Sequence, residues 1–146
     1  MRIVSFLPSA TELIYELGDQ ELLYGVTHEC KYPPDAKSKL QIIDSVINSD
    51  KLTSKEIDTK TCQLLKDGKD IFVLNEKNLK DANPDLIISQ ETCEVCAAYT
   101  NQVKKAMNIF AAVGKTITFL VQYSLTLTSL GNNYFVPDTS KLTQPN

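Results

Sequence analysis

No apolar run in this 146-residue chain approaches the ~20 residues that crossing a bilayer takes, so no membrane span is expected. Lysine and arginine are scattered and outnumbered, 15 against 18 acidic residues, and they form no basic stripe. Nucleic acid is therefore not an expected partner. Glycine occurs only five times, and neither a phosphate-cradling loop nor a dinucleotide fingerprint can be built from those five. Histidine occurs once, at His28, with no serine-histidine-aspartate set around it. A catalytic constellation is missing, and the chain is not expected to be an enzyme. Four cysteines are too few for a disulfide scaffold. The opening Met1–Pro8 has too short an apolar run and no small-residue cleavage site for a signal peptide. As written, the chain is expected in the cytosol, and outside it only if the true start lies elsewhere.

What is present is an alternation of short apolar runs and helical patterns. Ile3–Leu7 reads as a strand, interrupted by Pro8-Ser9. Ser9-Ala10-Thr11-Glu12 has the form of a capping box with Ser9 as N-cap, and Leu13, Ile14 and Leu17 supply the stripe of a helix that Gly18 closes. Leu22–Thr27 is a second strand. Pro33-Pro34 forbids helix there and predicts an extended loop. Thr53-Ser54-Lys55-Glu56 is a second capping box, followed by Ile57, Thr61, Leu64 and Leu65 at helical spacing up to Gly68. Cys62 falls on the flank of this helix and is expected to be partly buried. Ile71–Leu74 is a short strand, Glu76–Ala82 a helix ended by Pro84, and Leu86–Ser89 a strand. Ala97–Val113 reads as a helix with Val103, Ala106, Met107 and Phe110 on one face. Ile117–Val121 is a further strand.

Strands alternating with helices predict an α/β fold with a parallel sheet. Such sheets bind ligands at the carboxyl ends of their strands. Three segments fall at those ends: Pro8-Ser9, Thr27-His28-Glu29-Cys30-Lys31-Tyr32-Pro33-Pro34, and Gln90-Glu91-Thr92-Cys93-Glu94-Val95-Cys96. Ser9 and Thr11 either cap a helix or offer a ligand the positive end of its dipole. His28 is either a hydrogen-bonded loop residue or a contact to ligand, its neutral imidazole suiting cobalt or iron. Cys93 and Cys96 form a C-x-x-C. Together with His28 and Cys30 it admits a metal site, a redox dithiol or a structural role. Parallel topology predicts Cys30 closer to Cys93 or Cys96 than Cys62 is. Tyr32 with Pro33-Pro34 makes a stiff loop that is either a surface turn or a flat apolar contact. Glu29 and Gln90 complete the candidate ligand-facing set. The metal content of that set is left open.

The segment after Gly114 differs. Charged residues fill 30 of positions 1–114 but 3 of positions 115–146, so 115–146 is set apart from the 1–114 domain as a divergent tail.

The run Arg2–Glu12 resembles the opening of helical-backbone periplasmic binding proteins of the cobalamin and iron-siderophore type. Gly25-Val26-Thr27-His28-Glu29-Cys30 with Tyr32-Pro33-Pro34, Glu56-Ile57-Asp58, Asn83–Gln90 and Cys93-Glu94-Val95-Cys96 are similar to the cobalamin-binding-protein-like subgroup that serves ABC importers. The similarity covers roughly residues 1–114. It implies a Rossmann-like lobe, the first of two lobes joined by a long helix, with a corrinoid held between them and no cofactor required. The implied partners are a small-molecule ligand and the importer's membrane subunits, with haem or an iron siderophore as the alternative ligand. From another class, a small cytosolic metal- or redox-responsive domain built on the two cysteine loops is the alternative. Family members are much longer, and positions 115–146 do not resemble their second lobe. A truncation or frameshift near Lys115 is the corresponding expectation.

Overall fold

The computed structural model describes residues 1–91 and 97–123. Among them β1 (Ile3–Ser5), β2 (Leu23–Thr27), β3 (Leu40–Ser45), β4 (Phe72–Leu74), β5 (Leu86–Glu91) and β6 (Thr118–Tyr123) form one sheet in the order β4-β3-β2-β1-β5-β6. The α-helices are α1 (Pro8–Glu16), α2 (Ser54–Lys66), α3 (Glu76–Ala82) and α4 (Ala97–Ala111). The expected α/β class with a parallel sheet and flanking helices is what the chain adopts.

Two features of the sheet go beyond that expectation. β3 was not legible, because Leu40–Ser45 buries two consecutive residues, Ile42 and Ile43, and so lacks a two-residue alternation. β4 runs antiparallel to β3, whereas the other pairs are parallel. The cause is the excursion between them. Residues 46–71 leave and re-enter the sheet at the same rim, tied together where the Val46 amide donates to the Ile71 carbonyl at 2.9 Å. A chain that returns at the end it left must run back the other way. α2 sits on this excursion rather than across the sheet, and it buries no residue completely.

The helices start where their first turns can be satisfied. Thr53 and Glu56 form the expected reciprocal box at α2, the Glu56 amide donating to Thr53 Oγ1 at 3.4 Å and the Thr53 amide to Glu56 Oε2 at 2.8 Å. α3 has the expected limits, with Asn75 accepting from the Asn78 amide at its start and Asn83 in the left-handed region, φ 44°, at its end. α1 does not begin as expected. Pro8 occupies its first turn, Leu7 is the N-cap, and no side chain caps it. Proline needs no amide partner there and its fixed φ suits the first helical position, so the helix starts early and Ser9 lies inside it. Thr11 Oγ1 donates back to the Leu7 carbonyl at 3.3 Å. Pro33-Pro34 likewise begins structure instead of excluding it: the Tyr32–Pro33 peptide is cis, and Pro34–Ser38 forms a 3-10 helix with Pro34 in its first turn.

The sheet divides the core in two. On one face Val4, Phe6, Ile42, Leu79, Ile87, Phe110 and Phe119 pack under α3 and α4. On the other, Ile14 of α1 meets Ile3, Leu23, Val26 and Cys30. α1 buries Ala10, Thr11 and Ile14, while Leu13 and Leu17, expected on the buried stripe, are 57% and 67% exposed. On α4, Ala106 and Phe110 are buried as expected, but Met107 is exposed and Gln102 is buried, its Nε2 donating to the Phe72 carbonyl at 2.8 Å.

Candidate functional site

β2 and β5 flank β1, and both run parallel to it, so the carboxyl ends of all three open on one rim. His28 to Pro33 leave that rim after β2, and Pro8-Ser9 leave it after β1. Gln90 lies in the last turn of the ladder, paired in register with Gln122 of β6. Cys93, Glu94 and Cys96 lie outside the described residues, as does the expected proximity of Cys30 to them.

The rim is built in two layers. The lower layer is sealed. Cys30 is 2% exposed, and its Sγ lies 3.1 Å from Thr11 Oγ1 and 3.6 Å from Thr27 Oγ1. Thr27 Oγ1 accepts the Glu29 amide at 3.1 Å, and the Cys30 amide donates to the Thr27 carbonyl at 3.1 Å. Ser5 Oγ donates to the Leu7 carbonyl at 2.7 Å. This chain of short bonds holds the loop after β2 against the first turn of α1. Thr11 and Cys30 thus face each other beneath the rim and are shut off from solvent. Ser5 is not among the sequence candidates, and Thr27 enters only as the first residue of the rim segment that runs to Pro34. Their signal was a polar residue inside an apolar strand, which in a buried sheet needs a partner.

The upper layer is open. Tyr32 is 60% exposed, and Ser9 and Glu29 are exposed. His28 is half-buried at the edge of this layer. Its amide donates to the Ile43 carbonyl at 2.9 Å, its Nδ1 lies 3.3 Å from the same oxygen, and its ring tilts against Phe72 with centroids 5.9 Å apart. A carbonyl can only accept, so in the neutral ring Nδ1 carries the proton and Nε2 keeps its lone pair. That is the form in which an imidazole ligates a metal.

Among the described residues no three His, Cys, Asp or Glu side chains gather as a metal site. Cys62, expected to be partly buried, is exposed. α2 lies too far out from the sheet for its flank to be covered.

No protein-family model and no curated protein matches the chain. Solved structures similar to it include two periplasmic binding proteins. One is a periplasmic solute-binding protein of Staphylococcus epidermidis, described as a possible iron-binding protein. It is 25% identical with a TM-score of 0.51, over 85% of this chain and 35% of that one. The other is the periplasmic vitamin B12 binding protein BtuF of Vibrio cholerae, 21% identical with a TM-score of 0.48, over 86% of this chain and 34% of that one. The chain spans about a third of the length of each. Its six-stranded, mostly parallel sheet with flanking helices has the architecture of one lobe of a solute-binding protein.

Proposed function

We propose that this chain forms the first lobe of a solute-binding protein that delivers a corrinoid to the membrane subunits of an ABC-type importer. The observation that carries the reading is the architecture shared with the Staphylococcus epidermidis solute-binding protein over 85% of the chain. The choice of ligand rests on the ordered motifs from Arg2 to Cys96 and on the make-up of the rim. Tyr32 offers a flat apolar surface, and His28 offers a nitrogen lone pair suited to cobalt or iron. An iron-bearing ligand, haem or a siderophore complex, is the second reading, favoured by the description of that same neighbour as iron-binding.

Titrating the chain with hydroxocobalamin and separately with haemin tests the two. Coordination by His28 shifts the visible absorbance of the bound metal centre. The expected result is a shift with the corrinoid that His28→Ala abolishes. A shift with haemin alone moves the assignment to the second reading. No binding of either compound at millimolar concentration refutes both.

A further inference from the structure

His28 carries the one imidazole of the chain, so whatever sets its ring sets what the rim can offer a metal centre. Its own hold is weak. The Nδ1 contact to the Ile43 carbonyl is 3.3 Å, just beyond the usual ~2.7–3.2 Å of such a bond. A half-buried ring held at one atom can turn about its Cβ–Cγ bond. A neutral imidazole free in water also favours the other tautomer, with the proton on Nε2. Something besides Ile43 must hold the ring.

The Phe72 ring is in place to do so. Its centroid lies 5.9 Å from that of His28 with the planes at 41°, inside the ~4.5–7 Å at which aromatic rings attract. Phe72 opens β4, paired with Ser45 at the end of β3. β4 has only three residues and lies at the edge of the sheet, so one ladder fixes it poorly. α4 supplies the rest. Gln102 Nε2 donates to the Phe72 carbonyl at 2.8 Å, and two residues earlier Asp70 accepts from Lys105 and Asn101. Gln102 is fully buried although its Oε1 finds no partner among the described residues, a placement that costs stability. What the amide does there is hold the backbone of Phe72.

We propose that Phe72 and Gln102 are positioning residues for His28. Gln102 fixes the first residue of β4, and the Phe72 ring buttresses the imidazole. The Nδ1 proton then goes to the Ile43 carbonyl, which leaves the lone pair on Nε2. Metal-ligating histidines are oriented in this way, their other N–H given to a backbone carbonyl or carboxylate. The inference deepens the proposed role of His28 as a ligand nitrogen, and it rests on that role only where a corrinoid enters the test.

Nuclear magnetic resonance of the full chain, isotopically labelled at the nitrogens of its single histidine, reads the tautomer without any ligand. The measurement is made at about pH 9, where an ordinary imidazole is neutral. The wild type should carry the proton on Nδ1. Gln102→Met keeps the volume and removes the donor, and Phe72→Leu removes the ring and keeps an apolar side chain. Each should move a substantial fraction of the proton to Nε2. Lys115→Ala, which breaks contacts to Asn83 and Asp85 at the opposite rim of the sheet, should move none. An Nε2-protonated wild type would overturn the proposal, as would a wild-type tautomer in either folded variant. Should Gln102→Met fail to fold, Phe72→Leu decides alone. Hydroxocobalamin separates the positioning from the ligand reading. If the wild type binds it, Gln102→Met should weaken binding roughly tenfold, the usual cost of a lost outer-shell partner, and an unchanged affinity would overturn the proposal. If the tautomer responds as expected while the wild type takes no corrinoid, the positioning stands and the corrinoid reading falls.

Discussion

At Gly25 the sheet leaves no room for a side chain. A Cβ there would lie 2.5 Å from Cγ1 and 2.8 Å from Cδ1 of Ile42, and 3.1 Å from Cγ2 of Val4. Ile42 and Val4 are fully buried, so neither can swing away. Gly25→Ala is expected to destabilise the fold by about 1–3 kcal/mol, the usual cost of overpacking a core. A urea midpoint equal to that of the wild type would show that β2 and β3 can part without cost. The thiols divide just as sharply. Cys30 is sealed between Thr11 and Thr27, whereas Cys62 stands in solvent. In a Cys93→Ser, Cys96→Ser background, one thiol should react with a disulfide reagent within seconds and the second only as the protein opens. Cys62→Ser should remove the fast phase, and a fast phase that survives it would place Cys30 at the surface.

Between elements, a few polar contacts do what the core does not. Asp70, just before β4, accepts from Lys105 Nζ at 2.6 Å and from Asn101 Nδ2 at 2.8 Å, both on α4. The hydrogen bond from Lys105, then that from Asn101, holds its carboxyl below the ordinary 3.8. A carboxyl lowered in the folded state contributes stability that is full above its unfolded pKa and is lost as pH falls through the folded one. Between about pH 6 and pH 3 the wild type should therefore lose more stability than Asp70→Asn, as read by denaturant unfolding. Equal losses would mean that the bridge does not hold α4 to β4. Among the described residues α2 has no such tie, and none of its own residues is fully buried. Its stability rests on its capping box and on partial cover from Leu64, which packs against Ile47 and Ile71. Its amides are expected to exchange with deuterium faster than those of α3, whose Leu79 and Ala82 are fully buried. Protection of α2 equal to that of α3 would reveal a covering surface.

For the whole molecule, the parallel run of β2, β1 and β5 is what makes a site conceivable, since it brings loops distant in sequence to one rim. The Staphylococcus epidermidis solute-binding protein is about two and a half times as long as this chain, and on the proposed function one lobe by itself buries one side of a large ligand. Calorimetry of the chain with a corrinoid should give an affinity weaker than micromolar, because desolvation and ordering costs are offset by only half of the contacts. Submicromolar binding would show that this rim suffices by itself.

Local energetics were legible in the sequence. The capping box at Thr53 and Glu56, the limits of α3 and the strand at Leu86 all follow from hydrogen bonds and periodicity within a few residues of chain. The α/β alternation follows from them in turn, as does the placement of His28 and Tyr32 at the end of β2. Tertiary structure decided everything that depends on a neighbour. Whether Cys30 and Thr11 face a ligand or each other turns on how the loop after β2 meets α1. Whether β4 runs parallel or antiparallel turns on where residues 46–71 re-enter the sheet. Whether Leu13 and Leu17 are core or surface turns on which flank of α1 meets the sheet, and that flank carries Ala10, Thr11 and Ile14. A side chain's own chemistry sets its local preference, but burial belongs to the pair of surfaces that meet, and only one of those surfaces is written nearby in the chain.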